Sequence, residues 1–380
     1  MNAQASPQQI IALNAQMRQM LLATGQEIDK NLGTFTETVL GRTTRVKLFN
    51  VGVITKLVLD ISVAVTVGTA TGTLSVRAPW NLISRVRVSD YDGADRINMS
   101  GFQLFILNCF RKGALYGYNN DAAVAVYTNP NITPLTVGTN TYNFQLEIPL
   151  AYDVDNRIVQ LRDLRGAIMA QTATGEMYLT VDWATLLITN ANDDFFFNGA
   201  ATTTAVLAAA GISMIVFQHY ILPQAIGANG EIPLPQIDLM TVYELTGNVR
   251  SSDNLAVNTE KQMPYPNVRS VIGAYFNYMQ ATTQTAGKIN TIRLVANGNN
   301  VMRERTERKQ LLEQRLAIAG DTVAGCYYLD HRARPIETAL FGNIFCGITP
   351  NTVGATPFIE IGFESFYTKG MSLPGITQGS

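Results

Sequence analysis

The sequence predicts an all-β chain in which one sandwich- or barrel-type fold occurs twice in tandem behind an N-terminal helix. Three observations predict it. Short segments rich in Val, Ile, Leu and Thr alternate with Gly, Pro, Asn and Thr turns through most of the 380 residues. A break with three prolines and two glycines falls at Pro223 to Leu239. A faint repeat of strand, turn, long helix and later strands occurs once on each side of that break.

The first segment reads as a helix. Ser6 suits the N-cap, Pro7 the first helical position, and Gln9 the capping-box partner. Ile10, Leu13, Met17, Met20 and Leu21 recur at helical spacing, and Gly25 is a natural stop. The other face is mostly Gln and Asn, with Arg18 the sole charge before Glu27. Such a helix needs a surface to lie on. Its own domain is one candidate. A neighbouring subunit or a membrane face is the other, met through Ile10, Leu13, Met17, Arg18, Met20 and Leu21.

From Gly33 the texture becomes β. Strands are expected within Arg45 to Val67 and over Leu82 to Val88, Tyr142 to Leu150, Glu176 to Ile188 and Ile212 to Leu222. After the break they are expected over Ser270 to Met279, Ile289 to Val295, Gly325 to Leu329, Gly342 to Ile348 and Pro357 to Tyr367. The repeat sets Leu82 to Val88, a Gly93 turn and a helical stretch to Gly113 against Ile289 to Val295, a Gly298 turn and a helical stretch to Gly320. Ile212 to Tyr220 also matches Ile359 to Tyr367. The two inserted helices differ. Phe102 to Phe110 is apolar almost all round and should be buried. Arg303 to Leu316 is highly charged, with Glu304 and Arg308 at i, i+4 spacing. Arg303, Glu304, Arg305, Glu307 and Arg308 form either a solvated face or an inter-subunit charge network.

Composition narrows the function. Charged residues are 15% of the chain, against about 25% in ordinary soluble domains. A charge-poor surface suits a protein covered by neighbours, and equally a neutral extracellular β protein. The net charge of −1 supplies no field to hold nucleic acid, so no direct sequence-specific nucleic-acid binding is expected. Cys109, Cys326 and Cys346 are odd in number and widely spaced, which reads as buried thiols. Met1 to Gln9 does not look like a leader. The longest apolar stretch, Ala205 to Leu222, is interrupted by Gly211, Gln218 and His219 and is not expected to span a bilayer.

Catalytic constellations are missing from the pattern. His219 and His331, the two histidines, stand apart and read as structural. There is no phosphate loop, nucleophile elbow or zinc-spaced Cys pair. Asp193 and Asp194 precede Phe195, Phe196 and Phe197 and read as a solvated loop with an aromatic anchor. Tyr275, Phe276 and Tyr278 lack basic company and read as sandwich core and edge. No catalytic residue, cofactor site or metal site is expected, and the protein is read as a non-enzyme.

Several stretches, in order along the chain, resemble one family. They are Asn81 to Val86, Ser100-Gly101-Phe102 and Pro149-Leu150-Ala151-Tyr152. Leu222-Pro223, Asn229-Gly230, Leu234-Pro235 and Ile237-Asp238-Leu239 follow. The last are Gly325 to Asp330, Arg334-Pro335-Ile336 and Phe341-Gly342-Asn343. Together they resemble the major capsid proteins of tailless, membrane-containing icosahedral bacteriophages of the tectivirus type. Loop lengths depart around Tyr118 to Thr141 and Arg250 to Asn267.

The resemblance implies two tandem eight-stranded jelly rolls with one long helix inserted in each. It implies homotrimers of pseudo-hexagonal outline that tile an icosahedral shell around an internal membrane and a double-stranded DNA genome. Implied partners are neighbouring capsid trimers, minor capsid proteins, and the inner membrane surface through the N-terminal helix. The implied location is the virion, with assembly in the host cytoplasm. The expected divisions are a helical arm over 1–32, a first jelly roll over 33–222, a linker over 223–239, a second jelly roll over 240–370 and a tail over 371–380. A glycan-binding or glycan-hydrolysing protein of two jelly rolls is the rival reading.

Overall fold

A computed structural model describes residues 7–69, 72–74, 77–112, 137–152, 163–172, 174–185, 187, 197–199, 204–224, 241–251, 255–280, 286–298, 300–318, 324–354 and 357–368. Most of the expected linker, the residues Asp193 to Phe196, the 371–380 tail and much of the 118–141 segment lie outside these residues.

Helix α1 (Pro7–Thr24) is followed by strands β1 (Gln26–Glu37), β2 (Thr43–Lys47), β3 (Val53–Thr69), β4 (Gly72–Leu74), β5 (Ile83–Ser89) and β6 (Asp95–Met99). Helix α2 (Gly101–Lys112) leads to β7 (Gly138–Pro149), β8 (Ile168–Met169), β9 (Tyr178–Trp183), β10 (Phe197–Gly199) and β11 (Thr204–Leu222). The second half runs β12 (Thr241–Ser251), β13 (Lys261–Pro264), β14 (Ser270–Gln280), β15 (Ile289–Ala296) and β16 (Asn300–Thr306). Helix α3 (Glu307–Ile318) then precedes β17 (Cys326–Asp330), β18 (Ile336–Glu337), β19 (Ile344–Pro350) and β20 (Pro357–Thr368).

The strands pair in one pattern, used twice. In the first half the sheets run β1-β11-β3-β7 and β2-β9-β5-β6; in the second they run β12-β20-β14-β17 and β13-β19-β15-β16. Four strands face four in each half, which is a jelly roll. The helix sits at the same point in both, between the fifth and sixth of these strands in chain order. Alternation explains the layering. In β3, Leu57, Leu59, Ile61, Val63 and Val65 enter the core while Lys56, Val58, Asp60 and Ser62 face outward.

The repeat is exact in length over β5 through α2 and β15 through α3. Laying Ile83 on Ile289 superposes the inward and outward positions of β5 and β15. It also superposes their irregularities. Pairing slips between Ile83 and Arg85 and between Ile289 and Thr291, then again after Val88 and after Leu294. The same offset carries Gly101, the first residue of α2, onto Glu307, the first of α3. Shared bulges at shared positions mark two copies of one backbone plan.

The two rolls are not separate bodies. Strand β6 pairs with β12 in parallel, Leu245 against Ile97 and Thr246 against Asn98, so one sheet runs through both halves. The main apolar core also crosses the junction. It joins Phe102, Phe105 and Phe110 of α2 to Tyr243, Leu245, Ile272, Tyr275 and Tyr328 of the second half. The interior of the second roll forms its own cluster around Phe276, Ile292, Ile348 and Ile361. This explains why α2 is apolar all round: one side packs on its own roll and the other on the second roll.

Three expectations need correction. β1 begins at Gln26, so the segment assigned to a helical arm over 1–32 already contains strand; Ile28, Leu32 and Phe35 pack on the core from one face of a strand bulged at Asn31 and Gly33. Asp95 to Met99 is strand β6, not part of the helical stretch after Gly93. The helix expected from Arg303 begins at Glu307, because Asn300–Thr306 pairs with β15 across its whole length. Arg and Glu favour helices only weakly, and a ladder of backbone hydrogen bonds overrides that preference.

Candidate functional site

The resemblance implies a protein that works through its surfaces, so the side chains of interest are those at the helix faces and at the sheet edges. Helix α1 is anchored at its C-terminal end. The Gly25 N–H donates to the Leu21 carbonyl at 2.8 Å and the Thr24 hydroxyl to the Met20 carbonyl at 2.7 Å. Leu21 is fully buried among Val53, Ala151, Leu164, Ala167, Met169 and Ile221, with Leu22 beside it. Arg18 pairs with Asp163 at 3.5 Å. Leu21 therefore belongs to the chain's own core and is withdrawn as a contact residue, because a side chain with no exposed area has none to offer. Leu13 and Met20 are exposed and Met17 is half-buried; the Ile10 side chain lies outside the described residues. The helix thus docks on its own domain through its C-terminal end, while Leu13 and Met20 remain exposed.

Leu13→Asp with Met20→Asp is expected to leave the melting temperature of the protein within about 1–2 °C, since exposed substitutions cost within about 0.5 kcal/mol. It is expected to lower particle yield several-fold. Calorimetry and sedimentation of assembled particles check the two halves of that expectation.

The charged cluster at β16 and α3 is wired mainly within the chain. Glu304 forms an ion pair with Arg293 of β15 at 3.5 Å, in place of the expected helical pair with Arg308, since it stands on a strand and Arg308 on a helix. Arg305 bonds Gln310 at 2.9 Å and pairs with Glu313. Arg303 donates to the Asp330 carbonyl at 3.4 Å. Glu307 is buried and accepts from the Gly287 and Ile289 N–H groups at 2.7 and 3.2 Å and from the Tyr327 hydroxyl. Arg308 is exposed. Glu307 is thus a loop anchor and not a surface charge.

Sequence reasoning did not reach the polar junction between the rolls. Arg77, just before β5, pairs with Glu360 of β20, and both are buried. Arg111 of α2 lies 3.6 Å from Glu364, which also accepts from the Tyr243 hydroxyl. Phe110 stacks on Tyr328 at 5.0 Å, and Gln103 donates to the Ile361 carbonyl at 3.4 Å. A cavity of about 320 Å³ lies beside the Arg77–Glu360 pair, lined also by Asn81, Phe102 and Trp183. The available signal was the wholly apolar Phe102 to Phe110, which demanded a second packing partner.

The histidines are structural. His219 pairs with Asp29 across β1 and β11. His331 is buried against Tyr265, hydroxyl to Nε2 at 3.1 Å. Burial, helped by the Arg303 charge, lowers its pKa from 6.5 to about 4. Burial also holds the Tyr265 phenol well above its usual range, so a neutral phenol is hydrogen-bonded to a neutral imidazole. The sign follows: the folded value lies below the unfolded one, so this stability is present above pH 6.5 and lost as pH falls toward 4. His331→Gln is expected to flatten the acid side of the stability profile, read as the urea midpoint at about pH 7 and about pH 4.5. No group of three or more metal-ligating side chains occurs among the described residues. Cys109, Cys326 and Cys346 are buried thiols outside any disulfide.

A twice-used eight-stranded plan with fused cores suits a wall unit better than a catalyst. The family profile of the P3 major capsid protein N-terminal domain matches residues 2–226, and that of its C-terminal domain matches residues 240–377. The chain belongs to the P3 major capsid protein family. It is 27% identical over 381 residues to the major capsid protein P3 of Enterobacteria phage PRD1, spanning 95% of this chain and 93% of that one. The MCP of STIV, Sulfolobus turreted icosahedral virus, is similar in structure with a TM-score of 0.64 at 13% identity, over 91% of this chain and 98% of that one. The capsid protein of the PBCV-1 virus gives 0.58 at 13% identity, over 90% and 94%. At that identity the likeness speaks for the fold alone, and the fold agrees with the double jelly roll. The P3-family chain is a structural protein of a phage capsid shell, with other capsid subunits as neighbours, and is not an enzyme.

Proposed function

We propose that this P3-family protein forms homotrimers of pseudo-hexagonal outline that tile an icosahedral shell over an internal membrane enclosing double-stranded DNA. The observation that carries this reading is the fused pair of equivalent rolls. Three such chains place six like rolls around an axis, and a six-fold outline packs a surface without gaps. The trimers meet one another through many modest contacts, which a closed shell multiplies. The exposed Leu13 and Met20 face of α1 is the part that meets the membrane surface or a minor capsid protein. No helix among the described residues is long and apolar enough to cross a membrane. A short apolar face suits reversible contact with a lipid surface rather than insertion.

Light scattering on a sizing column, with negative-stain images of the peak, tests this. A mass of three chains and a hexagonal outline are expected. A monomer or dimer at every concentration would sink the proposal.

A further inference from the structure

The cavity beside Arg77 and Glu360 has the make-up of a binding pocket. Its volume of about 320 Å³ lies in the lower part of the range for ligand pockets, about 300–1,000 Å³. Buried Asn81 and Ser100 join the ion pair as polar lining, and Phe102 and Trp183 line it with aromatic surface. Ser84 and Thr185 are exposed at its mouth.

Charge decides what fits. Arg77 and Glu360 are buried and paired, so the pocket carries no net charge. An anion there meets Glu360 and a cation meets Arg77, and either must displace one partner of a buried ion pair, which is costly. A neutral ligand rich in hydroxyls avoids that cost, because each hydroxyl both donates and accepts. The two serines suit such a ligand. The Ser100 hydroxyl oxygen accepts from the Gln103 N–H at 3.2 Å, which leaves its O–H to donate. The Ser84 hydroxyl donates to the Asp182 carbonyl at 2.9 Å, which leaves lone pairs to accept. A sugar ring adds C–H faces that pack on aromatic rings. Glu360 is the only carboxylate lining the pocket among the described residues, whereas glycoside hydrolysis ordinarily takes two. The site therefore binds without cleaving.

We propose that this pocket holds one neutral sugar residue between Arg77 and Phe102 of the first roll and Glu360 of the second. Strand β1 runs away from the docked end of α1, and β2 begins beyond its far end; Thr43 of β2 pairs with Asp182, the neighbour of Trp183. The pocket thus lies at the end of the first roll opposite α1. Its place on the outer side of the shell rests on the proposed function; the binding itself rests on the pocket alone.

The full-length protein is titrated with the methyl glycosides of glucose, galactose, mannose and N-acetylglucosamine and read by tryptophan fluorescence. The chain has two tryptophans, Trp183 at the pocket and Trp80 next to Asn81. Saturable binding of at least one glycoside in the millimolar range is expected, with a melting temperature that rises with its concentration. Glucuronate, similar in size but anionic, is expected to bind about tenfold more weakly or worse. The free hexoses run alongside: equal binding assigns the end residue of a glycan, and binding lost on methylation assigns the free sugar. Ser84→Phe and Thr185→Tyr each crowd the mouth from an exposed position and are expected to weaken binding about tenfold or more. Melting curves without sugar show that the variants are folded. No saturable binding by any of these sugars, equal binding of glucuronate, or undiminished binding in a folded mouth variant overturns the pocket. A trimer that binds no sugar keeps the shell reading and removes the pocket; a monomer that binds sugar keeps the pocket and removes its outward placement.

Discussion

Glu360→Ala is expected to destabilise the protein by about 3–5 kcal/mol, the range for breaking a buried ion pair by removing one partner. Arg77 and Glu360 are 2% and 4% exposed, and they come from different jelly rolls. The guanidinium also lies over the Phe102 ring at 4.5 Å and near Phe358 at 5.6 Å, so it is walled by aromatic surface. Without the carboxylate, a buried cation loses this counter-charge while staying in that aromatic setting. A double change, Arg77→Met with Glu360→Leu, removes both charges and fills similar volume, and it is expected to cost far less than Glu360→Ala alone. Urea denaturation of the three proteins checks the ordering. Equal losses for the single and double variants would show that packing, and not charge, dominates there.

Trp80→Ala is expected to cost about 3–5 kcal/mol, the range for emptying a buried aromatic site. Trp80 has no exposed area. Its ring stacks on Phe105 of α2 with centroids 3.4 Å apart and planes 9° from parallel, and meets Phe144 edge-on at 6.4 Å. Its indole N–H donates to the Gln145 carbonyl at 3.2 Å. The substitution removes the platform that seats α2, and α2 in turn is the wedge between the rolls. Particle yield should therefore fall together with stability. Trp80→Phe keeps the stack and is expected to recover about half of the loss. Denaturation midpoints and particle yields of the two variants, measured side by side, check this. Full stability in Trp80→Ala would show that α2 is held by its other contacts.

The repeat and the site were legible to different degrees. The strands at Ile83–Ser89 and Ile289–Ala296 announced themselves because each alternates buried and outward side chains against a solvated or polar surface. Strand β16 did not, because Arg303, Glu304 and Arg305 carry no apolar alternation and resemble a helix start. Strand β1 was hidden for a related reason: Ile28, Leu32 and Phe35 are spread among polar residues and interrupted by a bulge at Asn31 and Gly33. For α1 the periodicity marked the helix correctly, yet it gave Leu13 and Leu21 the same status. One is exposed and the other buried, since only the end next to β1 reaches the Leu164 and Met169 cluster.

By itself, the sequence determined the all-β class, the tandem repeat, the two inserted helices and the absence of a catalytic pattern. These are properties of local periodicity and composition, and each is written in neighbouring residues. The tertiary structure alone decided that the two rolls share a sheet and a core, that Arg77 meets Glu360, that Glu307 is an anchor, and which strands lie at the sheet edges among the described residues. Those outcomes depend on pairings across up to 283 positions of chain, as between Arg77 and Glu360. No local pattern encodes such partners, because burial and hydrogen bonding are settled only when distant surfaces meet.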